Sequence, residues 1–265
     1  MYIDTHLHLD EPWLTDEKLR QKTIQDITEN KIVTWAQACD LSGYQKIIEW
    51  SKMSEYIFPS FGILPWYANE WMDKLDEVAR YCEDAIMFGE IGLDEGSSRN
   101  TASKKEQEAL FEVFLEVAEK NNMIMNCHFR GGLEERGLEL LNSYEIKKGI
   151  FHHYSGPPKM IEKINDNGHY ISYGSSKYVN ISKALKGYLA KRVPKVNDDF
   201  LIIEIDVLHR EEDYKPPSAV IPKILEVLAE AKKTTSEEIE TMNQRNVLRM
   251  IGDDPKLKEM RDLLS

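Results

Sequence analysis

Short apolar runs recur along this chain at intervals of roughly 30 residues, the length of one strand, one helix and their loops. They occupy residues 2–7, 32–39, 57–64, 85–91, 123–128, 149–154, 169–174 and 200–207, and are rich in Ile, Val, Phe and Tyr. The stretches between them carry apolar residues three and four apart, as in DEKLRQKTIQDITEN and KEQEALFEVFLEVAEK, the period of a helix with one buried face. Eight strand signals, each followed by a helix signal, predict a parallel sheet. Eight such units in about 250 residues is the arithmetic of an α/β, TIM-like (β/α)8 barrel. Beyond the eighth unit, Thr235-x-x-Glu238 is a capping-box pattern ahead of IETMNQRNVLRMI, which predicts an extra C-terminal helix on the outside. A doubly wound open sheet gives the same alternation, but no Gly-rich phosphate loop follows the first strand. With no low-complexity segment and no long linker, residues 1–265 read as a single domain.

Composition bounds the partners. Thirty-four Lys and Arg stand against 46 Asp and Glu, a net charge of −12. Non-specific nucleic-acid binding draws its affinity from cations that neutralise phosphates, so no strong binding of that kind is expected. No apolar run reaches the ~20 residues needed to cross a bilayer, which argues against a membrane partner. MYIDTHLHLD has neither the basic nor the apolar region of a secretory signal. Cys39, Cys82 and Cys127 form neither a CxxC pair nor an even framework. A reducing, cytoplasmic location is the expectation.

The chemistry collects at strand ends. The first run closes on His6-Leu7-His8, whose imidazoles, two apart in a strand, project to one side. The fourth ends in GEIGLD with Glu90, the fifth in NCHFR with His128, the sixth in FHHYSG with His152, and the eighth in LIIEID with Asp206. Active sites of such barrels form at the C-terminal rim. Five strands carrying metal-ligand side chains to one rim point to a metal centre, whereas HxH alone would not. Imidazole with carboxylate suits Zn²⁺, Mn²⁺, Fe²⁺ or Co²⁺, and a carboxylate can bridge two ions about 3.5–4 Å apart. A hydroxide held by such a pair would attack an ester, phosphoester or amide; no GxSxG elbow offers a serine route.

These motifs resemble, in order and spacing, the TatD-type metal-dependent hydrolases of the amidohydrolase superfamily, and the ending NVLRMIG resembles that family's closing helix. The resemblance implies a TIM-like barrel with two divalent ions, zinc first, with magnesium or manganese as alternatives. It implies that His6, His8 and Asp206 bind one ion, that His128 and His152 bind the other, and that Glu90 bridges them. Asp206 would also take a proton from the attacking water, and the implied reaction is phosphoester hydrolysis of the deoxyribonuclease or phosphodiesterase kind. The chain departs from the family where Gly-x-His-Pro reads Gly62-Ile63-Leu64-Pro65, and where Glu-Thr-Asp-x-Pro reads Glu204-Ile205-Asp206-Val207-Leu208. The family's Arg-Asn-x-Pro is also missing near Lys215, and His153 stands where many members have cysteine.

Other residues stand as weaker candidates. Arg130 is placed to clamp a phosphate oxygen, His209 to reach substrate from the rim loop, and Glu204 to hydrogen-bond a ligand histidine. Asp94, just past the fourth run, would orient a ligand or cap the next segment. Trp13 and Trp66, on rim loops, would stack on a ring or serve only in packing. His153, beside His152, should face the other way and be structural, as should His169 at the far end of its strand. The leading reading is a binuclear hydrolase of a small anionic phosphoester or a DNA end. The same site acting on a carboxylic ester, lactone or amide is the alternative, and a silent metal-binding interaction protein is a third.

Overall fold

The computed structural model describes residues 1–10, 13–208 and 214–265. Strand β1 (Ile3–Leu7) leads to helix α1 (Glu17–Glu29), β2 (Val33–Gln37) to α2 (Leu41–Ser51), and β3 (Ile57–Ser60) to a 3-10 helix (Pro65–Trp71) and α3 (Leu75–Asp84). Strand β4 (Phe88–Asp94) leads to α4 (Lys104–Asn121), β5 (Met125–Arg130) to α5 (Glu134–Ser143) and β6 (Gly149–Phe151) to α6 (Pro158–Asp166). Strand β7 (Tyr170–Tyr173) precedes α7 (Lys183–Leu189), and β8 (Leu201–Ile203) precedes α8 (Pro217–Lys232). All eight expected strands are present and in order. Every residue of β1, β2, β4 and β7 is buried, as parallel strands covered on both faces require.

The sheet closes on itself. Strands β1 to β3 and β4 to β8 form two parallel ladders, and single bridges join Phe61 to Phe88 and Leu7 to Asp206. The Gly89 amide donates to Phe61 O at 2.9 Å, and the Asp206 amide to His6 O at 2.8 Å. Closure of the eighth strand onto the first excludes the open doubly wound sheet.

The β8/β1 seam has little backbone pairing, and side chains complete it. Asp4 Oδ1 accepts from the Ile205 amide at 2.9 Å. From α9 (Ser236–Ile251), Asn243 accepts from the Ile203 amide and donates to Ile3 O, both at 3.0 Å. This is the expected extra helix, and its Thr235–Glu238 capping box is formed. A shorter α10 (Lys258–Leu264), not foreseen in the sequence, lays Met260 Sδ 3.0 Å from the Trp35 indole nitrogen of β2. No helix among the described residues is long and apolar enough to cross a membrane.

Strand ends differ from expectation in three places that matter to the site, and in one of them β8 stops at Ile203, so that Asp206 meets β1 only through an isolated bridge beyond the strand. Strand β4 runs on to Asp94, so this carboxylate belongs to the strand and not to the loop after it. Strand β6 stops at Phe151, so His152 and His153 lie on the following turn. Period-two alternation therefore does not govern them, and His153 adopts a positive φ of 41°.

His169 lies at the opposite end, just before β7, fully buried with both ring nitrogens unpartnered among the described residues. Burial, helped by Lys147, lowers its pKa from 6.5 to about 4. Between these values the unfolded chain binds the extra proton, so this stability is present above pH 6.5 and lost as pH falls toward 4. Up to about 3 kcal/mol is at stake for such a shift. Urea unfolding at several pH values should show a steeper acid loss in the wild type than in His169→Leu; identical profiles would remove His169 as the cause.

Candidate metal centre

At the C-terminal rim, the reciprocal backbone bonds between β1 and the end of β8 set His6, His8 and Asp206 side by side; the His8 amide donates to Asp206 O at 3.0 Å. Asp206 makes this turn with a positive φ of 68°, a costly conformation for a residue with a side chain and one that collects at functional sites. Gly174 permits β7 to approach here, since a Cβ on it would stand 1.6 Å from Glu204 O.

Of four groups of ligand atoms drawn together within 4.8 Å among the described residues, two hold the sequence-predicted ligands, one of His6, His8 and Asp206, the other of Glu90, His128 and His152. Glu90 is shared between them. Its Oε2 lies 2.9 Å from His8 Nε2, while Oε1 lies 2.5 Å from His128 Nδ1 and 2.7 Å from His152 Nε2. The rings of His6 and His152 stack at 4.1 Å between centroids.

Hydrogen bonds outside these groups fix which nitrogens face inward. Asn126 donates through Nδ2 to Thr5 O at 2.9 Å, which turns its Oδ1 toward His6 Nδ1 at 3.0 Å. That ring nitrogen therefore carries the proton, and Nε2 presents a lone pair to His8 Nε2 at 3.1 Å. Likewise His128 Nε2 donates to Asp94 Oδ2 at 3.0 Å, which leaves a lone pair on Nδ1 facing His152 Nε2 at 3.2 Å. Lone pairs pointed at one another and at a carboxylate lack a shared positive charge, and a divalent cation bound by these atoms answers that need. The residues present fit a metal centre.

The electrostatics divide the imidazoles, lowering one and raising those that face Glu90 most closely. Burial, reinforced by His152 and His8, pushes His6 down to about 3. Burial also opposes a charged His152, but Glu90 and Glu204 outweigh it and push this imidazole up to about 10. Burial would raise Glu90, yet His152 and His128 hold it well below the usual carboxylate range. Asp94 behaves alike, held at about 2 against burial by His128 and Trp66.

Placement of the weaker candidates varies. Glu204 is buried, accepts from Ser172 Oγ at 2.6 Å and lies 3.7 Å from His152 Nδ1, facing the imidazole beyond direct hydrogen-bond reach. Arg130 is exposed at the end of β5, and its side chain leans toward Gly96. His209 lies outside the described residues. His153, expected to face away, instead brings Nδ1 within 2.6 Å of Asp206 Oδ2, because the strand has ended before it.

Sequence reasoning gave no role to Asn126, although it sits two residues before His128 on the same face. It also missed Asp10, whose Oδ1 is 3.5 Å from His8 Nδ1 and whose Oδ2 accepts from the Cys39 amide. Cys39 is buried beside them, its thiol pushed up to about 12 by burial.

Residues 3–252 match the family described as TatD related DNase. The chain belongs to this family. An uncharacterized metal-dependent hydrolase of Methanocaldococcus jannaschii is 26% identical over 255 residues, covering 92% of this chain and 94% of that protein. Another from Haemophilus influenzae is 23% identical over 180 residues, 65% of this chain and 69% of its own length. Among solved structures, a TatD homologue of Escherichia coli K12 aligns with a TM-score of 0.75 at 18% identity, covering 94% of this chain and 97% of its own. A TatD family hydrolase of Entamoeba histolytica aligns with a TM-score of 0.77 at 17% identity and the same coverage. The protein is thus a hydrolase of the TatD family on a TIM barrel.

Asp94 orients His128 from behind. Outer hydrogen bonds of this kind alter metal affinity about 10–100-fold. Asp94→Asn should weaken binding of a divalent ion by a factor in that range in a chelator competition. Unchanged affinity would show that Asp94 serves Trp66 and the following loop alone.

Proposed function

We propose that this TatD-family enzyme hydrolyses phosphoesters with two divalent ions, one held by His6, His8 and Asp206, the other by His128 and His152, with Glu90 between them. The observation that carries this reading is the division of the Glu90 carboxylate, one oxygen toward His8 and the other toward His128 and His152. Four imidazoles with two carboxylates favour zinc, with manganese or magnesium as alternatives. Divalent ions bound there supply Lewis acidity, stabilise the charge that develops on the ester and make an attacking water more acidic.

The chain's own groups complete the chemistry. Asp206 accepts a proton from the attacking water, while His153 Nδ1, 2.6 Å from its Oδ2, fixes the orientation of the carboxylate. Burial would raise Asp206, and His153 nonetheless holds it below the usual carboxylate range, so it stands ionised, with no proton of its own, at neutral pH. Asn126 and Asp94 accept from the outward nitrogens of His6 and His128, which aims the other ring nitrogens inward. Arg130, two residues beyond His128, serves as a clamp for a phosphate oxygen. A small anionic ester or a DNA end fits a protein of net charge −12 better than a long duplex does. Three buried free cysteines fit a cytoplasmic setting.

A second reading keeps the site and changes the substrate to a carboxylic ester, lactone or amide. What favours it is the apolar character of Leu64, Ile205 and Leu208, all buried near the rim.

Metal analysis of the purified protein should find about two divalent ions per chain. Bis-p-nitrophenyl phosphate should be turned over faster than p-nitrophenyl acetate or a lactone panel. Asp206→Asn should lower kcat by about 10²–10⁴-fold, and Glu90→Ala should lower both metal content and turnover. Turnover confined to the carboxylic substrates would favour the second reading and overturn the first.

A further inference from the structure

We propose that Trp13, Trp66 and Arg99 form a subsite for a planar ring of the substrate, such as a nucleobase or aryl group, beside the scissile ester. The proposal rests on the phosphoester reading for the anionic part of the substrate, but not for the ring.

The three side chains come from three different loops, after β1, β3 and β4. Trp66 is buried and fixed, donating its indole N–H to Asp94 Oδ2 at 2.7 Å, the oxygen that also holds His128. Its ring stands edge-on to His128 at 5.9 Å. Trp13 stands 5.8 Å from the His8 ring and 6.2 Å from Trp66. One indole therefore flanks each of the two ligand groups. Leu64, Cys39 and Trp66 form a small apolar cluster, separate from the main core, with Trp13 and Tyr67 packed against it.

Arg99 covers the indole pair. Its guanidinium carbon lies 4.7 Å from the Trp13 ring centre and 5.6 Å from that of Trp66. Arg99 is exposed, and no carboxylate among the described residues pairs with it. In a chain with twelve more acidic than basic residues, an arginine without a carboxylate partner among the described residues, beside a cluster of ligands, is a natural seat for an anion. A flat cation on an indole face occupies the kind of position a flat ring takes up. The indole N–H of Trp13 is itself buried without a partner among the described residues, which leaves a donor for a polar atom on the ring's edge. A ring that slides onto Trp13 displaces Arg99 toward the anionic group attached to it, so the aromatic and the anionic ends of one molecule are read together.

The test compares ligands that differ in the ring alone. Adenosine monophosphate against ribose 5-phosphate, measured by calorimetry on the metal-loaded protein, should show about tenfold tighter binding of the ring-bearing partner. Trp13→Ala should reduce that preference to near unity while ribose 5-phosphate binds as before, and Trp13→Phe should restore most of it. Arg99→Leu should weaken both ligands. Equal binding of the two by the wild type, or a preference that survives Trp13→Ala, overturns the subsite. Benzoate against cyclohexanecarboxylate, equal in charge and similar in size, repeats the comparison without phosphate. If neither phosphate binds yet benzoate is preferred in a Trp13-dependent way, the phosphoester reading fails and the subsite stands.

Discussion

The arrangement at the rim turns on one buried carboxylate. Glu90 is almost inaccessible to water, and a lone charge in such a place is unstable unless it is paired and hydrogen-bonded. Its partners are imidazoles from three other strand ends, and each has to be held in the right tautomer. This need explains the polar residues that sit just behind the ligands. Asn126 is oriented by a backbone carbonyl and in turn orients His6, Asp94 orients His128, and Asp10 faces His8. Together they make the centre pre-organised, with its ligands held on strands or within a few residues of their ends.

The barrel was legible in the sequence because strands buried on both faces leave continuous apolar runs, and helices between them leave a different period. His6 and His8 were legible for the same reason, since two residues along a strand is one full repeat. His153 was misread because that inference assumes the strand continues, and β6 ends at Phe151. Asp94 was placed on a loop because nothing local marks where a strand with charged residues stops. Trp13 and Trp66 were legible as rim aromatics, but their association with each other and with Arg99 was not: no periodicity connects the three segments, and only the closed barrel brings them together. Donor and acceptor roles were equally hidden, since the orientation of Asn126 follows from a carbonyl on another strand.

The acidic composition also takes on a different meaning. Several of the carboxylates that make the chain anionic are turned inward, where Glu90, Asp94, Glu204 and Asp206 face imidazoles rather than solvent. Bound divalent ions would reverse the sign of the field there. Arg130 and Arg99 stand exposed on the same side of the barrel, at the ends of β5 and of the loop after β4.

The β8/β1 seam ties this centre to the way the chain is made. His6 and His8 leave the ribosome first among the site residues, and Asp206 last, with the Asn243 that clasps both strands later still. Domains acquire structure as their segments emerge, but the first ligand group here unites the opening and closing strands of the barrel. A nascent or prematurely released chain therefore carries five of the six proposed ligands with nothing to gather them at the seam. Hydrolytic competence arrives only after Asp206 and the α9 clasp have emerged, so a polypeptide cut short of them is an inert one.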